Sequence, residues 1–185
     1  MMAEKRDGDE VTLTYSLKGM DLSNAQAAQD LLAVLKQESD TFLLADELAR
    51  QQSQSFDEDD LDPEDDLPAK SWLIWAEAES DADSADNPAV SYPVGIGSIS
   101  AGEVGIAVLN DYQNQGLGRL TIEAMIDWAE QVGYDRLWLD VDVSNAPARH
   151  LYDELGFEVQ PGDEQEVKLP NGRVAELERR ELSLA

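Results

Sequence analysis

No cysteine occurs anywhere in the 185 residues, which excludes a disulfide framework, cysteine-ligated zinc, thioredoxin-type exchange and a cysteine nucleophile. A single histidine, His150, excludes a multi-histidine metal centre. The acidic stretch around Asp57 and Asp59 is not a calcium loop either, because Leu61 follows and no glycine stands where an EF-hand needs one. We therefore expect no metal. Long apolar runs are missing too: the longest, Leu31 to Leu35 and Trp72 to Ala76, are far short of the roughly 20 residues of a membrane span. MMAEKRDGDE lacks the apolar core of a signal peptide, so a cytoplasmic protein with no membrane partner is expected.

Positive charge is scarce. Thirteen Lys and Arg stand against 40 Asp and Glu, for a formal net charge of −27, and only five of the cations are lysine. Such a chain repels a phosphate backbone, so no nucleic-acid partner is expected. Acid spread through every segment suits a halophilic protein, because molar salt shortens the Debye length to about 3 Å and screens the self-repulsion. Polycationic partners remain the other reading of the charge. Disorder is excluded by the apolar content: Leu, Ile, Val and Phe supply 44 of the 185 residues, enough for the core of one domain.

Residues 11–17 (VTLTYSL) alternate with the period of a half-buried strand, and Ala28, Leu31, Leu32 and Leu35 then line a helix with Asp21 or Ser23 as its cap. Residues 41–50 fit a strand end or a helix turn equally. From Glu38 to Asp66 twelve acids meet a single arginine, so an acidic loop or helix is expected over about 51–69. SWLIWAEA (71–78) reads as a buried strand, residues 79–93 as a polar hairpin loop, and 94–100 and 103–109 as an antiparallel hairpin about Ala101 and Gly102. Gly116 opens a helix that Gly133 ends. A strand over 137–143, a short helix over 145–155 with Pro147 in its first turn, and three tail strands with a turn at Asn171 and Gly172 complete a mixed α/β domain.

Two stretches carry chemistry. In VLNDYQNQGLGR (108–119) a strand ends and a glycine-punctuated turn opens a long helix. Amide groups at a helix start have no internal partner and lie at the positive end of its dipole, a place suited to phosphate oxygens. Gly116 and Gly118 let that backbone approach an anion closely, although the spacing is neither a dinucleotide fingerprint nor a P-loop. In NAPARHLYDELGF (145–157), Tyr152 can give a proton to a reacting centre or simply pack its ring beside Leu151 and Leu155.

Taken together, Gln113, Gly116 and Gly118 in QNQGLG, followed by Asn145, Ala148, Leu151, Tyr152, Gly156 and Phe157, resemble the two signatures of the GNAT superfamily of N-acetyltransferases. The resemblance covers Trp72 to Phe157 and extends plausibly to both termini, which makes residues 1–185 one GNAT domain. It implies a mixed, mostly antiparallel sheet of six to seven strands, with strands four and five splayed apart and about four flanking helices. Acetyl-CoA would be the co-substrate and an amine the acceptor. By the same resemblance the pantetheine arm pairs with the backbone of Ile106 and Val108. The pyrophosphate takes amide bonds from the loop Gln113, Asn114, Gln115, Gly116, Leu117, Gly118 and Arg119, and Arg119 adds its charge. Asn145 and Ala148 hold the thioester region, and Tyr152 protonates the departing thiolate. A neutral amine would attack directly through a tetrahedral intermediate whose oxyanion meets a backbone amide near Val108.

The general base is open at this level, because the interior of the fourth strand, VGIAV, has no titratable group. Glu103 ranks first, ahead of Asp111, Asp140 and Asp142. His150 reads as a surface residue, and Trp72 or Trp75 as core residues able to wall an acceptor site. That missing carboxylate keeps alive an alternative, a non-catalytic acyl-CoA-binding regulatory module of the same fold. An acidic protein mimicking nucleic acid would explain the charge but neither signature. Homodimers are common in the family that the chain resembles, and by that resemblance a homodimer is an expected assembly, with the C-terminal strands available to mediate it.

Overall fold

The computed structural model describes residues 12–38, 67–78, 90–169 and 171–185. Most of the acidic segment and residues 79–89 of the expected hairpin loop lie outside the described residues. The elements are β1 (Leu13–Gly19), α1 (Ala25–Glu38), β2 (Lys70–Ala78), β3 (Ser91–Ser100), β4 (Glu103–Val108), a 3-10 turn (Asn110–Tyr112), α2 (Leu117–Val132), β5 (Arg136–Asp142), α3 (Ala146–Glu154), β6 (Glu158–Val159), β7 (Gln165–Lys168) and β8 (Val174–Ser183). One sheet of eight strands runs β1-β2-β3-β4-β5-β8-β6, with β7 also on β8. The count exceeds six to seven because the tail lays two short strands along β8. Among the described residues, β4 with β5 is the one parallel pair.

Strand alternation sends side chains to two helical layers. On one face α1 buries Ala28, Leu31 and Leu35 against Leu73, with Trp75, Ile96 and Ala107 around them. On the other, Ile122, Met125 and Ala129 of α2 meet Ile99, Val104, Leu137, Leu139 and Val141, and Tyr152 of α3 joins the same cluster. Each fully buried side chain of this size contributes about 1.5–3 kcal/mol. Gly97 of β3 sets the approach of α2, since a Cβ there would stand 2.7 Å from Thr121 Cγ2 and 2.9 Å from Met125 Sδ.

Two local readings change. Ser91, Tyr92 and Pro93 belong to β3 rather than to a loop: the register shifts between Ile74 and Trp75, so Ile74 faces Gly95 while Trp75 faces Pro93. A bulge tolerates proline, which has no amide hydrogen to give to the ladder. Asp21 does not cap α1. Its carboxylate accepts from the Ser23 backbone at 2.7 Å and from the Ser23 hydroxyl in the preceding turn, and Ala28 N–H donates to the carbonyl of Asn24.

The 116–133 helix ends as expected, with Gly133 left-handed at φ 98. The hairpin at Ala101 and Gly102 has both residues at positive φ, 48 and 76, which suits the twist of two-residue loops.

Candidate active site

β4 and β5 share one registered pair, Glu103 with Trp138, where Trp138 N–H donates to the Gly102 carbonyl at 2.9 Å. Beyond that pair the strands separate. Leu109 N–H donates to Val94, so the odd-numbered residues of β4 bond to β3. The even-numbered ones, Val104, Ile106 and Val108, therefore present their backbone groups to the gap. Past the pairing point, Ile106 N–H and C=O and Val108 N–H point into the gap, where an extended, amide-bearing chain can reach them, while the Val108 carbonyl accepts from Gln113. The gap opens into a cavity of about 560 Å³.

One end of the cavity is the turn into α2. Gln113 Nε2 donates to the Val108 carbonyl at 3.0 Å and to Asn110 Oδ1 at 3.1 Å, which ties the turn to the end of β4. Asn114 at φ 60 and Gly116 at φ 80 are both left-handed, and a Cβ on Gly116 would meet nothing within 4 Å. Gly116 makes no side-chain cap. The first amides of α2, from Leu117 on, thus lack a capping acceptor beside the cavity, as anion binding requires.

Gln113, Asn114, Gly116, Leu117, Gly118 and Arg119 line the cavity, as do Ile106 and Val108; Gln115 does not. The Arg119 guanidinium is engaged rather than waiting. It pairs with Glu123 at 3.5 Å and with Glu154 of α3, so an anion at this end competes with two carboxylates.

The opposite wall is α3. Asn145 lines the cavity and caps the helix, its Oδ1 accepting from Ala148 N–H at 3.3 Å, which leaves only its NH2 for a ligand. Ala148 and Tyr152 also line it. Tyr152 is buried, its ring edge-on to Phe157 at 5.8 Å, and no group among the described residues hydrogen-bonds its hydroxyl. Burial pushes the phenol up to about 12, with a partial offset from nearby Arg180, so it carries its proton at neutral pH. Packing of the ring leaves the protonated hydroxyl without a partner among the described residues.

The candidate bases separate. Glu103 stands at the closed end of the gap, away from the cavity lining, on the sheet face that also carries Asp140. Burial pushes its carboxyl above the ordinary value; the Asp140 charge adds to this and Arg179 opposes it. Asp140 and Asp142 do line the cavity, but each is paired. Arg179 grips Asp140 at 3.0 and 2.9 Å while stacked 4.1 Å over Trp138, and Arg173 holds Asp142 at 2.7 Å. Asp111 lies outside the lining, its carbonyl accepting from Gln115.

Several wall residues were not anticipated, Glu154 among them. His150, though exposed, lies on the cavity rim 3.7 Å from Glu154; Tyr112, Arg173 and Ser144 also line the cavity. Arg173 reaches it from beyond both signatures, so no local pattern marks it. Trp72 is buried against Trp128, and neither Trp72 nor Trp75 reaches the cavity. Among the described residues no cluster could hold a metal ion, and no helix is long and apolar enough to cross a membrane.

The sheet is thus split along a parallel pair, and a strand edge bordering the cavity leads to an uncapped helix start. Residues 41–157 match the Acetyltransferase (GNAT) family, and the chain belongs to it. Over 52 residues it is 56% identical to [Ribosomal protein bS18]-alanine N-acetyltransferase of Escherichia coli K12, which is 28% of this chain and 35% of that one. The match thus spans about a third of that relative's length.

Among solved structures, an acetyltransferase of the GNAT family from Streptococcus pneumoniae superposes with a TM-score of 0.63 at 19% identity, covering 92% of this chain and 99% of that one. A putative acetyltransferase from Salmonella typhimurium, determined with its cofactor acetyl-CoA, gives 0.61 at 18%, covering 92% and 94%.

Proposed function

We propose that the protein transfers an acetyl group from acetyl-CoA to a primary amine. The observation that carries this reading is the continuity of the gap: the free edge at Ile106 and Val108 leads at one end to the uncapped start of α2 and faces Tyr152 across the cavity. These parts fit the co-substrate. An amide-bearing arm can hydrogen-bond the β4 edge, a diphosphate suits the amides from Leu117 onward, and Asn145 and Ala148 border the region between. Acetyl-CoA supplies a thioester carbonyl, and the amine attacks it directly.

The chain's own groups then have distinct tasks. A backbone amide of the β4 edge near Val108 receives the negative charge that develops on the carbonyl oxygen. Tyr152, protonated at neutral pH, gives its proton to the departing sulfur as the C–S bond breaks, and the proton that leaves the newly bonded nitrogen restores the phenol. Glu103 takes the proton of the ammonium acceptor, and its distance from the cavity lining requires a water relay. Its raised pKa suits that task better than the arginine-paired Asp140 and Asp142 do.

The test is acetyl transfer in molar KCl across a panel of amines. The panel includes peptides beginning with alanine, because the E. coli relative is named for an alanine of a ribosomal protein. Transfer to any of them supports the proposal.

One observation favours a second reading, an acyl-CoA-binding regulatory module: among the described residues no unpaired carboxylate lines the cavity beside β4. CoA binding with no transfer to any amine would establish that reading instead.

A further inference from the structure

Gln115 is the one residue of the glycine turn that is turned away from the cavity, and what holds it lies a hundred positions earlier in the chain. The Tyr15 hydroxyl of β1 donates to Gln115 Oε1 at 2.6 Å, and Gln115 Nε2 donates to the Asp111 carbonyl at 3.3 Å. A single amide is thus fixed at both ends. It sits between the two left-handed residues of the turn, Asn114 and Gly116, where the chain direction into α2 is decided. The turn is also fastened by Gln113 to Val108 and Asn110, by the Tyr92 and Tyr112 hydroxyls that meet at 2.9 Å, by Asn110 to Glu38 and by Arg119 to Glu154, but none of these bonds holds Gln115 between the two left-handed residues.

We propose that Tyr15 is a positioning residue for diphosphate binding: its hydroxyl holds Gln115 so that the amides from Leu117 onward are already aimed before the ligand arrives. This rests on the acetyl-CoA reading above and goes beyond it, because Tyr15 is not in the cavity lining. A turn that must be ordered during binding lowers affinity by the cost of that ordering, whereas a clamped turn does not. The effect concerns only the part of the ligand that touches the turn. The Tyr15 ring packs in the cluster that also holds Val108, so only its hydroxyl, which bonds Gln115 and no group of β4, β5 or α3 among the described residues, is specific to the turn.

The experiment compares wild type, Tyr15→Phe, Gln115→Ala and the double variant, by calorimetry with CoA and by ligand-observed NMR with pantetheine, which lacks the diphosphate. Phe keeps the Tyr15 ring in its apolar cluster beside Ile74 and Val94, so the fold should survive; Gln115→Ala tests the partner should Tyr15→Phe unfold.

The expected result is a CoA affinity about three- to tenfold weaker in each single variant, as for loss of one hydrogen bond. Pantetheine affinity should be unchanged, the double variant no worse than either single one, and amide exchange over 113–119 faster. Equal CoA affinity in wild type and Tyr15→Phe would overturn the proposal, and so would a parallel fall for CoA and pantetheine. A wild-type protein that ignores CoA would overturn the acetyl-CoA reading itself, a distinguishable result.

Discussion

Arg180 and Glu178, two residues apart on β8, face the same way and bind each other: Arg180 Nε and Nη2 donate to Glu178 Oε1 at 2.8 and 2.6 Å. Arg180 is 2% exposed. It also reaches Asp153 and the Arg149 carbonyl on α3, while Arg149 returns to Glu178 at 2.9 and 3.3 Å. The helix that carries Asn145 and Tyr152 is thereby riveted to the sheet by charge. Arg180→Met leaves buried Glu178 with Arg149 as its remaining partner, so stability in urea unfolding should fall by about 1.5–3 kcal/mol, the loss of charge-assisted hydrogen bonds. A loss below 1 kcal/mol would mean that the network contributes nothing.

The same network predicts a pH dependence. Burial pushes the Glu178 carboxyl up, but hydrogen bonds from Arg149 and Arg180 outweigh it and hold it below its ordinary 4.5. Stability from this group is complete above that value and is lost as pH falls through the lowered one. Glu178→Gln should therefore unfold more easily at neutral pH yet approach wild type below pH 4.5, in melting curves taken across the range. A constant gap would contradict this.

Tyr152→Phe keeps the ring against Phe157 and removes the proton. Turnover should fall by about 10²-fold with CoA affinity nearly unchanged, as expected for loss of a general acid. An unchanged rate would take Tyr152 out of the chemistry.

Glu103→Gln tests the base. With Glu103 in that role, activity rises with pH through its raised carboxyl pKa, and the variant should lose that acidic limb along with about 10²-fold in rate. A variant that keeps the wild-type profile would assign the proton to another group.

Gly118 lines the cavity, and a Cβ on it would lie 3.1 Å from Leu151 Cδ2. Gly118→Trp should abolish CoA binding in calorimetry, while Gly118→Ala, which asks only a small shift of Leu151, should weaken it. Full affinity in the Trp variant would move the ligand elsewhere.

What the sequence made legible follows from range. The Gly116 turn, the helix opened by Pro147 and the Gly133 stop are local, because backbone chirality and the fixed φ of proline decide them within a few residues. The splay of β4 from β5 came through resemblance alone, since nothing local announces that two strands pair once and part. Partnerships across the fold stayed hidden: Arg119 with Glu154, Arg173 with Asp142, and Tyr15 with Gln115 join residues 31 to 100 positions apart. Pro93 misled because proline reads as a breaker unless the bulge opposite is known. The place of Glu103 at the closed end of the gap depends on the register against Trp138, which one strand's pattern cannot encode.

With Glu103–Trp138 as the one registered pair between β4 and β5, the sheet has a seam that an extended ligand would bridge. A molecule lying in the seam would act as a structural member as well as a reactant, and its grip on the native state grows with the logarithm of its concentration. Thermal endurance of the empty and the filled protein should therefore differ most along this seam, making the lifetime of the fold a gauge of how much co-substrate surrounds it.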